Sequence, residues 1–122
     1  MTQEEKQLLL VDLCARLPYG VIGLYTWKCR NSYNRELTGN LYDELNSSWN
    51  STGDSEFFPY LRPMSSMTEE EKLMYEGLMI GTADNISYML DVVDWLNKNM
   101  FDYRGLIPKG LALEALEGMY EH

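Results

Sequence analysis

The densest group of chemically useful side chains in this sequence is the basic run from Lys28 to Arg35, KCRNSYNR. Arg30 and Arg35 flank Tyr33, so the run offers positive charge for a phosphate and a ring on which a base can stack. A turn between two strands that carries its charges in solvent predicts the same residue types. The sequence therefore leaves two interpretations open, a nucleotide-type ligand site and a charged hairpin turn.

A second candidate anion site lies between Arg62 and Thr68, in the sequence RPMSSMT. Arg62 supplies a guanidinium, Ser65 and Ser66 supply hydroxyls, and the helix predicted to follow has free N–H groups in its first turn. The three glutamates at 69–71 already place negative charge at that end of the helix. Because capping by Ser66 or Thr68 explains the same hydroxyls, either a phosphate site or a capped helix fits.

One tryptophan, Trp49, stands in the polar stretch Asn46–Ser55, NSSWNSTGDS. The Ser, Asn and Gly content of this stretch predicts a loop, and its composition is like that of antibody contact loops. Trp49 then either packs into the core and holds the loop down, or contacts a partner or ligand.

The residue types that most enzymes and metal sites need are scarce. The one histidine, His122, excludes Ser-His-Asp and Cys-His catalysis and histidine-ligated metals. Cys14 and Cys29 alone cannot form a structural zinc site, and Cys14 has the apolar helical neighbours of a core residue. The phosphate-binding patterns GxxxxGK[ST] and GxGxxG do not occur. We predict no catalytic residue, no metal, no cofactor and no disulfide.

Local patterns predict the elements that position these side chains. Capping boxes, in which a Thr hydroxyl and a Glu three residues later satisfy free N–H groups, begin helices at Thr2 and Thr68. β-Branched and aromatic residues predict strands, and Pro59 and Pro63 confine one of them to a sheet edge. The first half is predicted to contain a helix over Thr2–Leu17, a strand over Val21–Trp27, a weaker strand over Glu36–Tyr42 and an edge segment over Phe57–Leu61. The second half is predicted to contain a helix over Thr68–Ile80 that Gly81 ends, a helix over 86–100 and a short helix over Gly110–Gly118. Residues 86–90, at the start of the helix over 86–100, fit a strand equally.

Acidic residues dominate the charge of the chain. Ten Lys and Arg stand against 19 Asp and Glu, for a net charge of −9, which excludes a general affinity for nucleic acid. Residues 63–122 carry −7 of that charge. In the helix over Thr68–Ile80 we expect Leu73, Met74 and Leu78 to face the core. The carboxylates expected to bind a basic protein partner are Glu70, Glu71, Glu76, Asp91 and Asp94; ordinary solvated helix faces are the alternative.

Three segments carry a resemblance to a known family: MTQEEKQLLLVDLCARLPYGV, PYLRPMSSMTEEEK, and DWLNKNMFDYRGLIPKGLALEA with the later EGMY. They span Met1–Val21, Pro59–Lys72 and Asp94–Tyr120, about half of the chain. They resemble small proteins without an assigned function from gut Bacteroidales and from their phages and mobile elements. The resemblance implies an accessory role in such an element and no site residue. The chain departs from the pattern at Leu116, where the family has Pro.

Together these observations predict an α+β fold in a single domain, 1–122. It has an N-terminal helix, a small antiparallel sheet of about three strands, and two to three further helices packed on it. The expected function is non-enzymatic binding of a basic protein, such as a host protein; the alternative is a small-ligand, nucleotide-type binder. The start MTQEEK has no signal-peptide pattern and no apolar run reaches membrane-span length, so we expect a cytoplasmic protein. The oligomeric state stays open.

Overall fold

The first helix, α1, spans Gln3–Arg16 in a computed structural model that describes residues 2–27, 31–51, 55–84 and 87–120. The Thr2 hydroxyl accepts the N–H of Glu5 at 3.1 Å, and the Glu5 carboxylate accepts the N–H of Thr2 at 2.8 Å. The predicted capping box is therefore confirmed. The helix ends in a 3-10 turn over Leu17–Tyr19, whose central proline cannot continue an α-helix.

A sheet forms the centre of the fold, and the described residues contribute four strands to it. In chain order they are β1 (Ile22–Trp27), β2 (Asn31–Glu36), β3 (Ser55–Leu61) and β4 (Leu113–Glu114). Their order across the sheet is β2-β1-β3-β4, with β1 antiparallel to both neighbours and β3 parallel to β4. The sheet is mixed, whereas an antiparallel one was predicted.

Helix α2, Gly39–Ser51, replaces the strand predicted over Glu36–Tyr42. The Thr38 hydroxyl accepts the N–H of Leu41 at 3.3 Å and so caps the first turn. Leu41 and Leu45 are fully buried one turn apart. The strand prediction rested on Leu37 and Leu41, which also lie four residues apart, and a spacing of four residues fits a helix turn as well as one face of a strand. The prediction was wrong from Gly39 onward, whereas Glu36 ends β2.

The polar stretch predicted as a loop over Asn46–Ser55 belongs largely to regular structure. Residues 46–51 lie in α2 and Ser55 begins β3, while residues 52–54 are outside the described part of the chain. The loop prediction was wrong for these helical positions. Trp49 therefore has a helical backbone, and its side chain lies outside the description.

The C-terminal helix predicted over Gly110–Gly118 is absent from the described residues, where β4 and a series of turns stand instead. β4 covers the outer edge of β3, and the N–H of Ala115 donates to the carbonyl of Leu61 at 2.8 Å. β4 pairs with Tyr60 and Leu61 only, so the end of β3 is interior to the sheet, whereas Pro59 lies before the paired residues. The backbone groups at the end of β3 need partners on that side, and the C-terminal segment supplies them.

Helices α3 (Glu69–Asp84) and α4 (Tyr88–Lys98) follow the sheet strand β3. The second capping box is confirmed: the Thr68 hydroxyl accepts the N–H of Glu71, and the Glu71 carboxylate accepts the N–H of Thr68. Gly81 lies inside α3 and does not end it. Positions 88–90, for which a strand was the alternative, are helical.

Two hydrophobic clusters hold these layers together. The larger one joins α1, the sheet, α2 and the C-terminal segment; its largest fully buried members include Leu9, Leu13, Leu41, Phe57 and Leu106. The smaller one lies beneath α3 and α4 and contains Met67, Val92, Leu96 and Phe101. Cys14 belongs to neither and is exposed, because it lies about 100° around α1 from Leu13; its predicted core position was wrong. The architecture is α+β, as predicted.

Candidate functional site

Helix α3 is attached to the rest of the protein along one face. Tyr75 and Leu78 turn inward onto the smaller cluster. The Tyr75 ring stacks on Trp95 of α4 with 6.2 Å between centroids, and Trp95 stacks on Phe101 at 5.5 Å. Because α3 packs mainly against α4, its opposite side faces solvent.

The solvent side of α3 carries large apolar side chains. Leu73 is 70% exposed and Ile80 is 71% exposed, with the exposed Gly77 between them. These three positions recur at four- and three-residue steps, so they form one line along the helix, here called the outer stripe. Met74, beside it, is 55% exposed. The prediction that Leu73 and Met74 face the core was wrong, whereas Leu78 does pack inward.

The start of α4 adds to the apolar surface of this helix pair. Tyr88, Met89 and Leu90 are all exposed, and the Tyr88 ring packs against Gly81 of α3. Among the described residues, seven of the ten exposed large hydrophobic side chains belong to α3 and α4. Single exposed apolar residues are ordinary, whereas this concentration in one helix pair makes the pair a candidate contact surface.

Carboxylates bracket the outer stripe. Glu69 and Glu70 precede Leu73 by one turn, and Glu76 lies one turn after Leu73 and one turn before Ile80. All three glutamates are exposed. Lys72 pairs with Glu69 at 3.6 Å in an open, solvent-screened geometry. The stripe is therefore an apolar line with a strongly negative border.

The two aspartates predicted to join this surface differ in their surroundings. Asp91 is exposed on the first turn of α4. Asp94 is also exposed, but its carboxylate accepts a hydrogen bond from the Tyr19 hydroxyl. That hydrogen bond is the main reason that the pKa of Tyr19 is raised. Asp94 thus ties the 3-10 turn after α1 to α4 and is less free to meet a partner than Asp91.

Glu71, also predicted as a partner contact, faces inward instead. Its carboxylate accepts hydrogen bonds from both terminal nitrogens of Arg62, at 2.6 and 2.7 Å. The Arg62 guanidinium lies over the Phe101 ring, 4.3 Å from its centroid. These hydrogen bonds, chiefly those from Arg62, lower the pKa of Glu71 to about 2. Glu71 anchors α3 to the end of β3.

The same ion pair occupies the guanidinium of the anion site predicted around Arg62. A cavity of about 470 Å³ lies there, and Glu71, Glu114 and Glu117 line it together with Arg62. Ser66 lines it too, but its hydroxyl donates to the Pro63 carbonyl at 2.7 Å. Three carboxylates around one already paired guanidinium disfavour a phosphate. The predicted alternative, a capped helix, is the arrangement present, with Thr68 as the capping residue.

Ser65 has no role in that cap. It lies in a 3-10 turn over Met64–Ser66, which Met67 and Thr68 separate from the first residue of α3. Its side chain is exposed. The structure therefore does not bring Ser65 and the free N–H groups of α3 together as one site.

The basic run predicted as a ligand site is only partly within the described residues. Arg30 lies outside them. Tyr33 and Arg35 are exposed on β2 and line a cavity of about 200 Å³ with Tyr25 and Glu44. The Tyr33 ring meets Tyr25 edge-on at 5.5 Å. Tyr33 and Arg35 are adjacent as expected, on a strand rather than a turn, and Glu44 partly offsets the charge that Arg35 offers.

The outer stripe is the feature that sequence reasoning missed. Helix α3 has apolar residues on two sides, with Tyr75 and Leu78 on one and Leu73 and Ile80 on the other. Apolar residues around most of the circumference are typical of a buried helix, not of one with a solvent-facing side. That distribution was the available signal, and it was missed because Leu73 and Met74 were assigned to the core together with Leu78.

Comparison of the chain with protein-family models, curated protein sequences and solved structures finds no match. The resemblance to proteins of Bacteroidales and their mobile elements therefore stays an expectation drawn from the residues. Across residues 2–27, 31–51, 55–84 and 87–120, no helix has the length and apolar character needed to cross a membrane.

Proposed function

We propose that this protein is a non-enzymatic binding protein that docks a basic partner protein on the outer stripe of α3. The observation that carries the proposal is the exposure of Leu73 and Ile80, both at or above 70%. Covering one such side chain contributes roughly 1.5–3 kcal/mol. A partner that covers both gains a substantial part of a typical binding free energy.

The charges around the stripe support a basic partner in particular. Glu69, Glu70 and Glu76 surround the apolar line, and Asp91 adds charge on α4. Lys or Arg side chains at the rim of a partner surface complement them. Such rim charges chiefly raise the association rate, and salt weakens their effect.

The charge that favours a basic partner disfavours a second copy of the same chain. Two outer stripes brought face to face would place Glu69, Glu70 and Glu76 of each copy near those of the other. A net charge of −9 per chain adds to the repulsion. We therefore propose a different protein as the occupant and treat self-association as an outcome to be tested.

A nucleotide-type ligand, the alternative function, gains less support. The guanidinium best placed to hold a phosphate, that of Arg62, already donates both terminal nitrogens to Glu71. Its cavity also contains Glu114 and Glu117. Protein binding is consequently the function we propose. The resemblance to phage and mobile-element proteins supports a cytoplasmic host protein as the partner.

The proposal is tested by affinity capture from an extract of the cells that make the protein, with mass spectrometry of the captured proteins. Three forms are compared: wild type, Leu73→Gln with Ile80→Gln, and Leu116→Gln. The last is the matched control, because Leu116 is 57% exposed and lies outside α3. Light scattering measures the mass of each form in solution.

We expect wild type and the Leu116→Gln control to capture the same basic protein. The Leu73→Gln, Ile80→Gln form should lose it while keeping its melting temperature, since both side chains are exposed. A protein retained by all three forms, or a captured protein that is acidic, would contradict the proposal. A dimer that dissociates only in the α3 variant would assign the stripe to a second copy instead.

A further inference from the structure

Gly77 lies in the middle of α3, at the centre of the outer stripe. A glycine in a helix interior destabilises the helix relative to alanine. A Cβ atom built at Gly77 would meet nothing within 4 Å. No neighbouring atom in the described residues therefore explains why residue 77 is a glycine.

Gly81, one turn later, provides the contrast. A Cβ atom there would come within 3.3 Å of the Tyr88 ring. The close packing of α3 on α4 at this point accounts for Gly81. The two glycines of α3 thus differ. Gly81 allows the Tyr88 ring to pack closely, whereas no described atom occupies the space next to Gly77.

The shape around Gly77 is a notch between two apolar ridges. Leu73 stands one turn before it and Ile80 one turn after it, and both project into solvent. When two helices pack, a large side chain of one enters a gap formed by four residues of the other. A side chain seated over Gly77 would contact Leu73 and Ile80 and lie close to the α3 backbone.

We infer that the partner element docking on α3 is a single amphipathic α-helix, with a large apolar side chain seated over Gly77 and Lys or Arg beside its apolar face. This inference rests on the proposed function and adds the shape of the partner to it. A helical surface has no free backbone edge with which to pair an extended strand. Helix-on-helix packing is thus the recognition mode that this face offers.

The bordering glutamates fix the polar part of the same arrangement. Glu76 is next to Gly77 and Glu70 lies about two turns before it, so cations of a docked helix would lie beside its central apolar residue and about two turns to one side of it. A helix with Leu at core-facing heptad positions and Lys elsewhere meets both requirements. The pattern LKKLLKL, repeated, is such a sequence.

The test uses two synthetic peptides of equal length and identical Leu and Lys content. One repeats LKKLLKL, whose period is helical; the other repeats LKLKLKL, whose alternation favours a strand. Fluorescence anisotropy measures their binding to wild type, Gly77→Ala, Gly77→Leu and the Leu73→Gln, Ile80→Gln form. Amide chemical shifts locate the bound peptide.

We expect the helical peptide to bind wild type about tenfold more tightly than the alternating one, with shifts centred on the outer stripe. Gly77→Leu should weaken its binding about tenfold, since the new side chain fills the notch and overpacks the contact. That substitution increases the exposed apolar area of α3. Non-specific hydrophobic adhesion therefore predicts the opposite change, tighter binding, and tighter binding would overturn the inference.

The remaining outcomes separate the two proposals. Equal binding of both peptides, lost in the Leu73→Gln, Ile80→Gln form, would overturn the helical partner and leave the basic partner standing. Binding of neither peptide, or binding unaffected by those two substitutions, would count against both. Intermediate binding by Gly77→Ala, with an unchanged fold, is the graded response that a notch of limited size predicts.

Discussion

The guanidinium of Arg62 donates one hydrogen bond to each carboxylate oxygen of Glu71, at 2.7 and 2.6 Å. The pair joins the end of β3 to the first turn of α3, and both side chains are about four-fifths buried. It removes the best placed cation from anion binding. Glu71 and Tyr75, one turn apart, both face inward, and the outer stripe lies on the opposite side of α3.

The first prediction concerns the pH dependence of this pair. Because the folded pKa of Glu71 is about 2, below its ordinary 4.5, the folded state favours the carboxylate. Its stabilising effect is complete above the unfolded pKa and is lost as pH falls through the folded pKa. We expect wild type to lose about 2 kcal/mol more than Glu71→Gln between pH 5 and pH 2.

Urea denaturation across that pH range measures the difference. Glu70→Gln, at the exposed neighbouring position, is the matched control and should follow wild type. Parallel pH profiles for wild type and Glu71→Gln would show that the Arg62 contact contributes little to stability.

The second prediction concerns Tyr120, whose hydroxyl stands between β1 and β3. It accepts the N–H of Ile22 at 2.7 Å and lies within hydrogen-bonding distance of the carbonyls of Ile22 and Tyr60. Burial raises the pKa of this hydroxyl, so it remains protonated. Tyr120→Phe leaves these backbone groups without their partner and should cost about 1–3 kcal/mol.

Thermal denaturation and exchange of the Ile22 amide hydrogen check this effect. The same change at the exposed Tyr33 is the control and should move stability by less than about 0.5 kcal/mol. Unchanged protection of the Ile22 amide in Tyr120→Phe would contradict the assigned hydrogen bond.

The third prediction concerns the buried charges of α1. Asp12 and Arg16 are fully buried, and Asp12 accepts hydrogen bonds from Arg16 and from Arg104. Arg16 also donates to the Phe101 carbonyl at 2.7 Å. Asp12→Asn leaves buried positive charge without its counter-ion and should cost about 3–5 kcal/mol.

The double variant Asp12→Leu, Arg16→Met removes both fully buried charges. It should be more stable than Asp12→Asn in equilibrium denaturation, because no fully buried cation is then left without its carboxylate. A cost below about 1 kcal/mol for Asp12→Asn would mean that the cluster is already well solvated.

The fourth prediction compares two glycines. A Cβ atom at Gly23 would lie 2.4 Å from the Phe57 ring and 2.7 Å from the Phe58 carbonyl, whereas at Gly77 it would meet open space. Gly23→Ala should destabilise the protein by at least about 1–3 kcal/mol. Gly77→Ala should stabilise it by about 1 kcal/mol. Denaturation midpoints measure both, and a destabilising Gly77→Ala would indicate an unseen contact above that residue.

Local signals predicted much of this fold. The capping boxes at Thr2 and Thr68 placed the starts of α1 and α3 correctly, because a cap depends on residues within one turn. β1 followed from its β-branched and aromatic residues. α2 was missed because Leu37 and Leu41, four apart, fit both a strand face and a helix turn. The cap at Thr38 was the signal that distinguishes them.

The parts that sequence could not predict depend on distant partners. β4 forms by hydrogen bonding to the end of β3. No residue pattern within 110–118 indicates that this segment pairs with a distant strand. Glu70 and Glu76 were predicted to face solvent, and both are exposed. The exposure of Leu73 depends on which helix α3 packs against, so local periodicity cannot establish it.

The most direct test of the account places a photo-crosslinking phenylalanine analogue at Leu73 and, as control, at Leu116. Irradiation of cells that make each form is followed by mass spectrometry of the adducts. We predict one discrete adduct from position 73, containing a second, basic protein joined through an α-helical segment, and none of that protein from position 116. The absence of any adduct specific to position 73 would contradict the claim that the outer stripe of α3 binds a partner.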